Sequence, residues 1–403
     1  MTGRQSTERQ ATQAAPKRRA AAVLWTAITG TLMISVGALV VDLGYLRVVK
    51  GQLQNAADAS ALAGVSALLN PLAVVGAGTP ENLADDGRAR AVAYAARNKA
   101  DGQPVHLDLE DIRVGRFDNP SNLDEPLTVG LPPYNALRVV TRKDESSPTG
   151  PVRLFLAGIM GKYTSNMTAT ATAYLDSGMV AYKPAKDNRP GPAIPITVHE
   201  YKWLNDIYNA LGQDLYGYDP ETGQVTLGPD GIPELSIFPE KAKDAESPDG
   251  AGNFGLLNFS NGNMGTTTIA GQIRTGLNAE EFTAAFGQPE ARFISEDGSP
   301  VSHVLDGTPG VKNSLITLED DVRSRIGTVV GFFVHDSVTY SGANIDYNVV
   351  NMQFGRVMTV ENKGSVNGDK AIIIQPTPYL GTEIITDPGA PPHLTGGRPR
   401  IVR

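Results

Sequence analysis

The chain has 403 residues, 41% of them hydrophobic and only 6% aromatic, with 43 glycines, 28 prolines and a net charge of −8. That length allows two or three domains beside a membrane segment, and the Gly and Pro usage favours loop-rich β architecture over a helical bundle. The acidic balance excludes nucleic acid as the main partner, and the absence of cysteine excludes disulfides, thiolate zinc sites and cysteine nucleophiles.

Residues 1–19 are polar and aperiodic, and carry Arg4, Arg9, Lys17, Arg18 and Arg19 against Glu8, which leaves the remainder at −12. A disordered tail is expected there. Ala20–Val41 follows, 22 residues without a charged side chain. At about 1.5 Å rise per residue the run reaches roughly 33 Å, enough to cross a hydrocarbon core of about 30 Å. It is too long for a signal-peptide core, and no small-x-small cleavage site follows, so an uncleaved single-pass anchor is expected. The basic cluster before the span places residues 1–19 in the cytoplasm and the body on the far side, periplasmic or extracellular, with Arg47 and Lys50 pulling weakly the other way.

No proline interrupts Asp42–Leu69, and Asn70-Pro71 stops the helix. Leu46, Val49, Leu53, Ala57, Ser60, Gly64 and Leu68 recur at spacings of three and four, which puts them on one stripe of a helix continuous with the span. Arg47, Gln54, Asn55 and Asp58 fall away from it. Small residues on such a stripe permit close approach, either of the chain's own first domain or of another subunit.

The span followed by Val41–Gly64 (VDLGYLRVVKGQLQNAADASALAG) resembles the entry segment of TadE/TadG-like proteins of Flp (tight-adherence) pilus assembly, most specifically at Leu53–Gly64. The resemblance implies a single-pass protein of the bacterial cytoplasmic membrane whose exported body helps assemble or anchor a thin pilus, without a cofactor. It marks Asp42, Leu53, Gln54, Asn55, Ala57, Asp58, Ala61 and Gly64 as an assembly helix. The partners implied are the lipid bilayer, other pilus assembly or pilin subunits, and further copies of the chain.

Residues 71–180 read as a small α+β domain. Thr79-Pro80-Glu81 starts a helix expected to reach Ala100, where Asp101-Gly102 breaks it. Asp111–Phe117, Ala136–Thr141 and Met167–Leu175 are strands, the last alternating Met167, Ala169, Ala171, Ala173 and Leu175 with Thr168, Thr170, Thr172 and Tyr174. Pro151–Gly161 reads as a short helix, giving the order α-β-β-α-β. The helix Arg90–Gly102, the RLFLAGIMG segment and the TATATAYL strand resemble Tad-like exported domains in the same order. His106, Asp108 and Glu110 would share a face if strand; a solvated face is the preferred reading.

Ser177–Pro192 reads as a linker. The region 181–386 is expected to be β-rich, with strands Ala193–Val198, Gln224–Leu227, Leu235–Phe238, Phe254–Phe259, Thr328–Val334, Tyr347–Glu361 broken near Gly355, and Ala371–Gln375. Helices are expected at Thr266–Arg274, Asn278–Phe286 and Ser314–Arg325. Residues 387–403 are Pro/Gly-rich and basic, and read as a flexible tail. The fold class is therefore α+β: a transmembrane helix (20–41) continuing into a long helix (42–70), a small α+β sheet domain and a β-rich C-terminal domain.

Chemistry is not signalled. Some Tad-like chains carry a von Willebrand A-like extension, whose metal site needs D-x-S-x-S; Asp336–Tyr340 and Asp58–Leu62 put Val338, Tyr340 and Leu62 where oxygen ligands are required. His199-Glu200-Tyr201-Lys202-Trp203 lacks the second histidine of H-E-x-x-H. His335-Asp336-Ser337 places triad residue types side by side, which is not triad geometry. No metal, no cofactor and no enzymatic activity are expected. The reading is a non-catalytic bitopic component of Flp pilus assembly, with a membrane-tethered binding module for cell wall or polysaccharide as the alternative and a tethered hydrolase as a distant third.

Overall fold

The computed structural model describes residues 15–69, 79–118, 126–186, 190–237, 254–260, 265–309, 312–341, 344–361 and 371–402. The expected N-terminal tail falls outside them as far as residue 14. The chain divides into two compact units, one formed by Met1–Ala59, Val92–Asp111 and Val139–Ala171, the other by Ser60–Ala91, Ile112–Arg138 and Thr172–Arg403.

Helix α1 runs unbroken over Ala15–Ser66, 52 residues. It starts five residues before the expected span, with Pro16 in the first turn, where a missing N–H costs no hydrogen bond. It ends short of Leu69, in a turn closed by Ala67 N–H to Gly64 O and Leu68 N–H to Val65 O. Along the span the large apolar side chains from Val23 to Val41 are exposed, while Thr26, Thr29, Thr31 and Ser35 return their hydroxyls to carbonyls of the preceding turn. A bare apolar cylinder with its polar groups internally satisfied is what a bilayer accepts. Among the described residues it is the single helix long and apolar enough to cross one.

Helix α2 (Pro80–Ala96) is capped by Thr79, whose hydroxyl oxygen accepts from Asn82 N–H at 3.3 Å. It stops four residues before the expected Ala100, because β1 (Lys99–Ala100) and β2 (Gln103–Pro104) pair into a hairpin. Its turn, Asp101-Gly102, has φ of 55° and 73°, so Asp-Gly here is a hairpin signal rather than a helix stop. His106–Glu110 is no strand: residues 105–108 are loop and Leu109–Asp111 a single 3-10 turn.

Strands β3 (Ile112–Arg116), β4 (Thr128–Val129) and β5 (Ala136–Lys143) follow. The expected helix Pro151–Gly161 is overturned: β6 (Val152–Arg153) and β7 (Thr164–Ser165) form a hairpin whose tip holds one 3-10 turn, Ala157–Met160. Strand β8 (Met167–Asp176) forms as its Thr/Ala alternation dictates.

The expected linker, Ser177–Pro192, contains β9 (Met179–Tyr182), buried at every position. Next come β10 (Ala193–His199), β11 (Tyr216–Asp219), β12 (Gln224–Leu227), β13 (Leu235–Ile237), β14 (Phe254–Leu257), β15 (Ala291–Arg292), β16 (His303–Pro309), β17 (Val329–Ser341), β18 (Asn344–Glu361), β19 (Ala371–Pro376), β20 (Ile384–Thr386) and β21 (Arg398–Val402). Strand β17 pairs with β10 in parallel and with β18 antiparallel, so β17, β10, β14, β16 and β18 close into a ring, and β19 and β13 continue from the second half of β18. Closure removes free edges from the five ring strands, and β13 is the outer strand of the extension. Helices Thr266–Thr275 and Lys312–Arg323 put Ile269, Ile273, Leu318 and Val322 on one core with Phe332 and Ile374, while Phe282 of helix Ala279–Phe286 joins a second core with Phe259, Phe333 and Phe354. The expected break at Gly355 does not occur. β18 is continuous there, and glycine is needed because a Cβ would strike Ile374.

The flexible tail is also overturned. β21 pairs antiparallel with β8 from Arg398↔Asp176 to Val402↔Thr172, completing the sheet β21-β8-β5-β3-β4. Arg400 reaches the buried Asp176 carboxylate at 3.1 Å, and Thr386 Oγ1–H donates to the same oxygen at 2.7 Å.

Candidate functional site

Asp42, the first charged residue after the span, is 2% exposed. Its carboxylate accepts the N–H groups of Phe155 (2.8 Å), Leu156 (3.0 Å) and Ala157 (2.6 Å), three successive donors of the β6–β7 tip. Charge-assisted bonds of this kind are stronger than neutral ones. The Phe155 ring meets Tyr45 edge-on at 4.9 Å. The end of the span and the base of the first unit are therefore fastened at one carboxylate.

Of the other assembly-helix residues in this unit, Leu53 and Ala57 are fully buried, and Thr141 Oγ1–H donates to Leu53 O at 3.0 Å. Gln54 donates to Asp58 Oδ1 at 2.8 Å and to Thr170 O at 3.1 Å, so it is tied down rather than offered to a partner. Asn55 is exposed. In the second unit Ala61 and Gly64 are buried, and a Cβ on Gly64 would lie 2.7 Å from Leu137 Cδ1 and 2.9 Å from Gly87 O. The small-residue stripe thus packs on the chain's own domain. The outward face of the same helix carries Gly44, Arg47, Val48, Gly51 and Asn55.

The two faces predict opposite signs. Gly64→Ala is expected to destabilise by about 1–3 kcal/mol through overpacking. A Cβ on Gly51 meets nothing within 4 Å, and Gly51→Ala is expected to stabilise by up to about 1 kcal/mol through helix propensity. Denaturant titration of the two variants in detergent distinguishes them.

A second fastening escapes sequence reasoning. Tyr45 donates to Asp101, Lys143 Nζ donates to Asp101 Oδ2 at 2.8 Å, and Asp101 N–H donates to Gln52 Oε1 at 3.0 Å. Burial pushes the Asp101 carboxyl up, but the Lys143 and Tyr45 bonds outweigh it and hold it below the usual range; the bond to Asp101 in turn raises the Tyr45 hydroxyl. The available signal was Asp-Gly as a hairpin turn, which sets the aspartate beside the helix.

The chemical candidates fall elsewhere. His199 caps the helix Glu200–Trp203, its Nδ1 accepting Tyr201 N–H at 3.0 Å. His335 is its register partner on the parallel neighbour, with rings 5.1 Å apart, and His335 Nδ1 lies 2.9 Å from Thr197 Oγ1. The Asp336 carboxylate takes Ser337 Oγ–H (2.7 Å) and Asn348 Nδ2–H (2.9 Å). Asp336–Tyr340 lies inside β17, not after it. His106 and Asp108 form an exposed pair at 3.0 Å. Among the described residues no group of three His, Asp or Glu is placed to hold a metal ion.

Two family models match the chain: a TadE/G-like Flp pilus-assembly family over residues 20–67, and a Tad-like Flp pilus-assembly family over residues 73–173. No curated protein and no solved structure matches it.

Proposed function

From the match of residues 20–67 and 73–173 to two Tad-like pilus-assembly family models, we propose that this chain is a non-catalytic, membrane-held structural component of Flp pilus assembly. Helix α1 crosses the cytoplasmic membrane with residues 1–19 on the cytoplasmic side, and the body on the far side engages other pilus components. The observation that carries this reading is the continuity of α1. From Val23 to Val41 it exposes its large apolar side chains, and its second half is fastened by Asp42, Leu53 and Gln54. A load on the first unit then reaches the span without a flexible joint, as an anchor or scaffold requires.

Deleting the gene is expected to abolish surface pili, and the wild-type gene to restore them. A Gly/Ser-rich insertion after Val41 is expected to leave membrane insertion intact but not to restore pili. Normal piliation in the deletion strain would rule the proposal out, and piliation with the insertion would rule out rigid coupling. Protease added to the cytoplasmic face is expected to spare the body.

A binding module remains the second reading, on one observation. A cavity of about 680 Å³ in the second unit is lined by Phe117, Tyr134, Leu175 and Pro392, with Arg116 and Asp176 as polar groups. Its test needs the full chain, because a fragment beginning at Lys183 would leave β21 without β8. Glycan capture by the full chain in detergent, lost on Tyr134→Ala, would favour it.

A further inference from the structure

We propose that the β6–β7 tip, Leu154–Tyr163, is a second membrane contact that seats in the headgroup region of the bilayer beside the span. The inference rests on reading Ala20–Val41 as membrane-spanning. The tip is a built element: Leu154 N–H donates to Tyr163 O at 2.9 Å, Val152 and Arg153 pair with Ser165 and Thr164, and Gly161 at φ 79° ends the 3-10 turn. Its height is fixed by the chain itself. Three consecutive N–H groups of the tip are bound to Asp42, and Asp42 directly follows Val41, the last apolar residue of the span. The tip therefore sits where the hydrocarbon core ends.

What it presents there is apolar and aromatic. Phe155 is 66% exposed, Leu156 37% and Tyr163 69%, and the exposed cations Arg153 and Lys162 bracket them. Aromatic rings at the interface, aliphatic side chains below them and basic groups at headgroup level are the composition that interfacial segments use. The occupant is lipid rather than protein on grounds of size as well. A tip of ten residues falls short of the roughly 20–30 residues a side that a stable protein interface uses. The bilayer surface is already present beside Asp42 and needs no recruitment.

The chain has no cysteine, so single-cysteine labelling needs no background substitutions. Full-length Leu32→Cys, Phe155→Cys, Tyr163→Cys and Leu227→Cys variants, each carrying an environment-sensitive fluorophore, are reconstituted into phosphatidylcholine/phosphatidylglycerol vesicles. Leu227, 86% exposed on β12, is the control outside the tip. Because Phe155 also touches Tyr45, Tyr163 supplies an independent position. Labels at 155 and 163 are expected to be quenched by a nitroxide near the lipid headgroup and shielded from aqueous iodide, with 227 the reverse and 32 reached by lipid quencher alone. Iodide-accessible 155 and 163 with a lipid-buried 32 overturns this inference and spares the span. An iodide-accessible 32 overturns both. Labels at 155 and 163 shielded from iodide and from lipid quencher alike would mean that protein covers the tip, which overturns lipid as its occupant.

Discussion

The wild-type chain is expected to lose about 2 kcal/mol more stability than His393→Gln when pH falls from 6.5 to 4.5. His393 is buried; its Nδ1 accepts Gly396 N–H at 2.8 Å and its Nε2–H donates to Met352 O at 2.8 Å. A second ring proton would face the Gly396 N–H, and burial pushes the imidazole down to about 4, against a weaker opposing pull from the Met352 carbonyl. In the unfolded chain it titrates near 6.5. The unfolded state therefore binds more protons between these values. The contribution is fully present above 6.5 and is lost as pH falls toward 4. Glutamine offers the same acceptor and donor without a titrating proton.

His335 is pushed down to about 3, by burial first and by His199 second, and loses stability in the same direction. Glu234 opposes both. Burial raises it to about 7, so its contribution is full below about 4.5 and is lost as pH rises through 7. Both terms are common to wild type and variant and cancel in the comparison. Urea unfolding in detergent, read from Trp203 buried against Phe332, gives the two profiles. Parallel profiles would show that His393 is not held neutral by the fold.

What could be read in advance was local. The length of Ala20–Val41, the spacing of Leu53, Ala57 and Gly64, and the Thr/Ala alternation of β8 each carry their signal within one element. What was missed depends on partners distant in sequence. Leu154–Met160 is a short apolar run whose periodicity cannot separate helix from strand, and Asp42 decides the matter by taking its N–H groups. Arg398–Val402 carries Pro399 and two arginines and reads as a tail, yet an edge strand tolerates proline, and the Asp176 carboxylate waits for Arg400. Strand β9 is four buried residues between Gly- and Pro-rich flanks, too short for any period. His199 and His335 become neighbours only through the parallel register of β10 and β17. On Asp42–Ser66 the spacing put Leu53, Ala57 and Gly64 on one face, and all three are buried, while what covers them, the chain's own residues, required the fold.

Asp42→Ala is expected to leave α1 in the membrane and to release the β6–β7 tip. Three N–H groups lose a charged acceptor, a bond that contributes about 1.5–3 kcal/mol each before the discount for a half-exposed tip, so the local loss is about 3 kcal/mol. At about 1.4 kcal/mol per factor of ten, amide hydrogen exchange at residues 155–157 is expected to accelerate roughly a hundredfold. The effect is confined, because Thr141 to Leu53 and Gln54 to Thr170 still hold the upper part of the helix. Asp42→Asn keeps one oxygen acceptor but turns an amide NH₂ toward the remaining N–H groups, so it is expected to fall between wild type and alanine. Unchanged exchange in Asp42→Ala would show that the carboxylate does not hold the tip. If the same variant is membrane-inserted and loses pili while the exposed Asn55→Ala keeps them, the junction between span and body is where this chain bears its load.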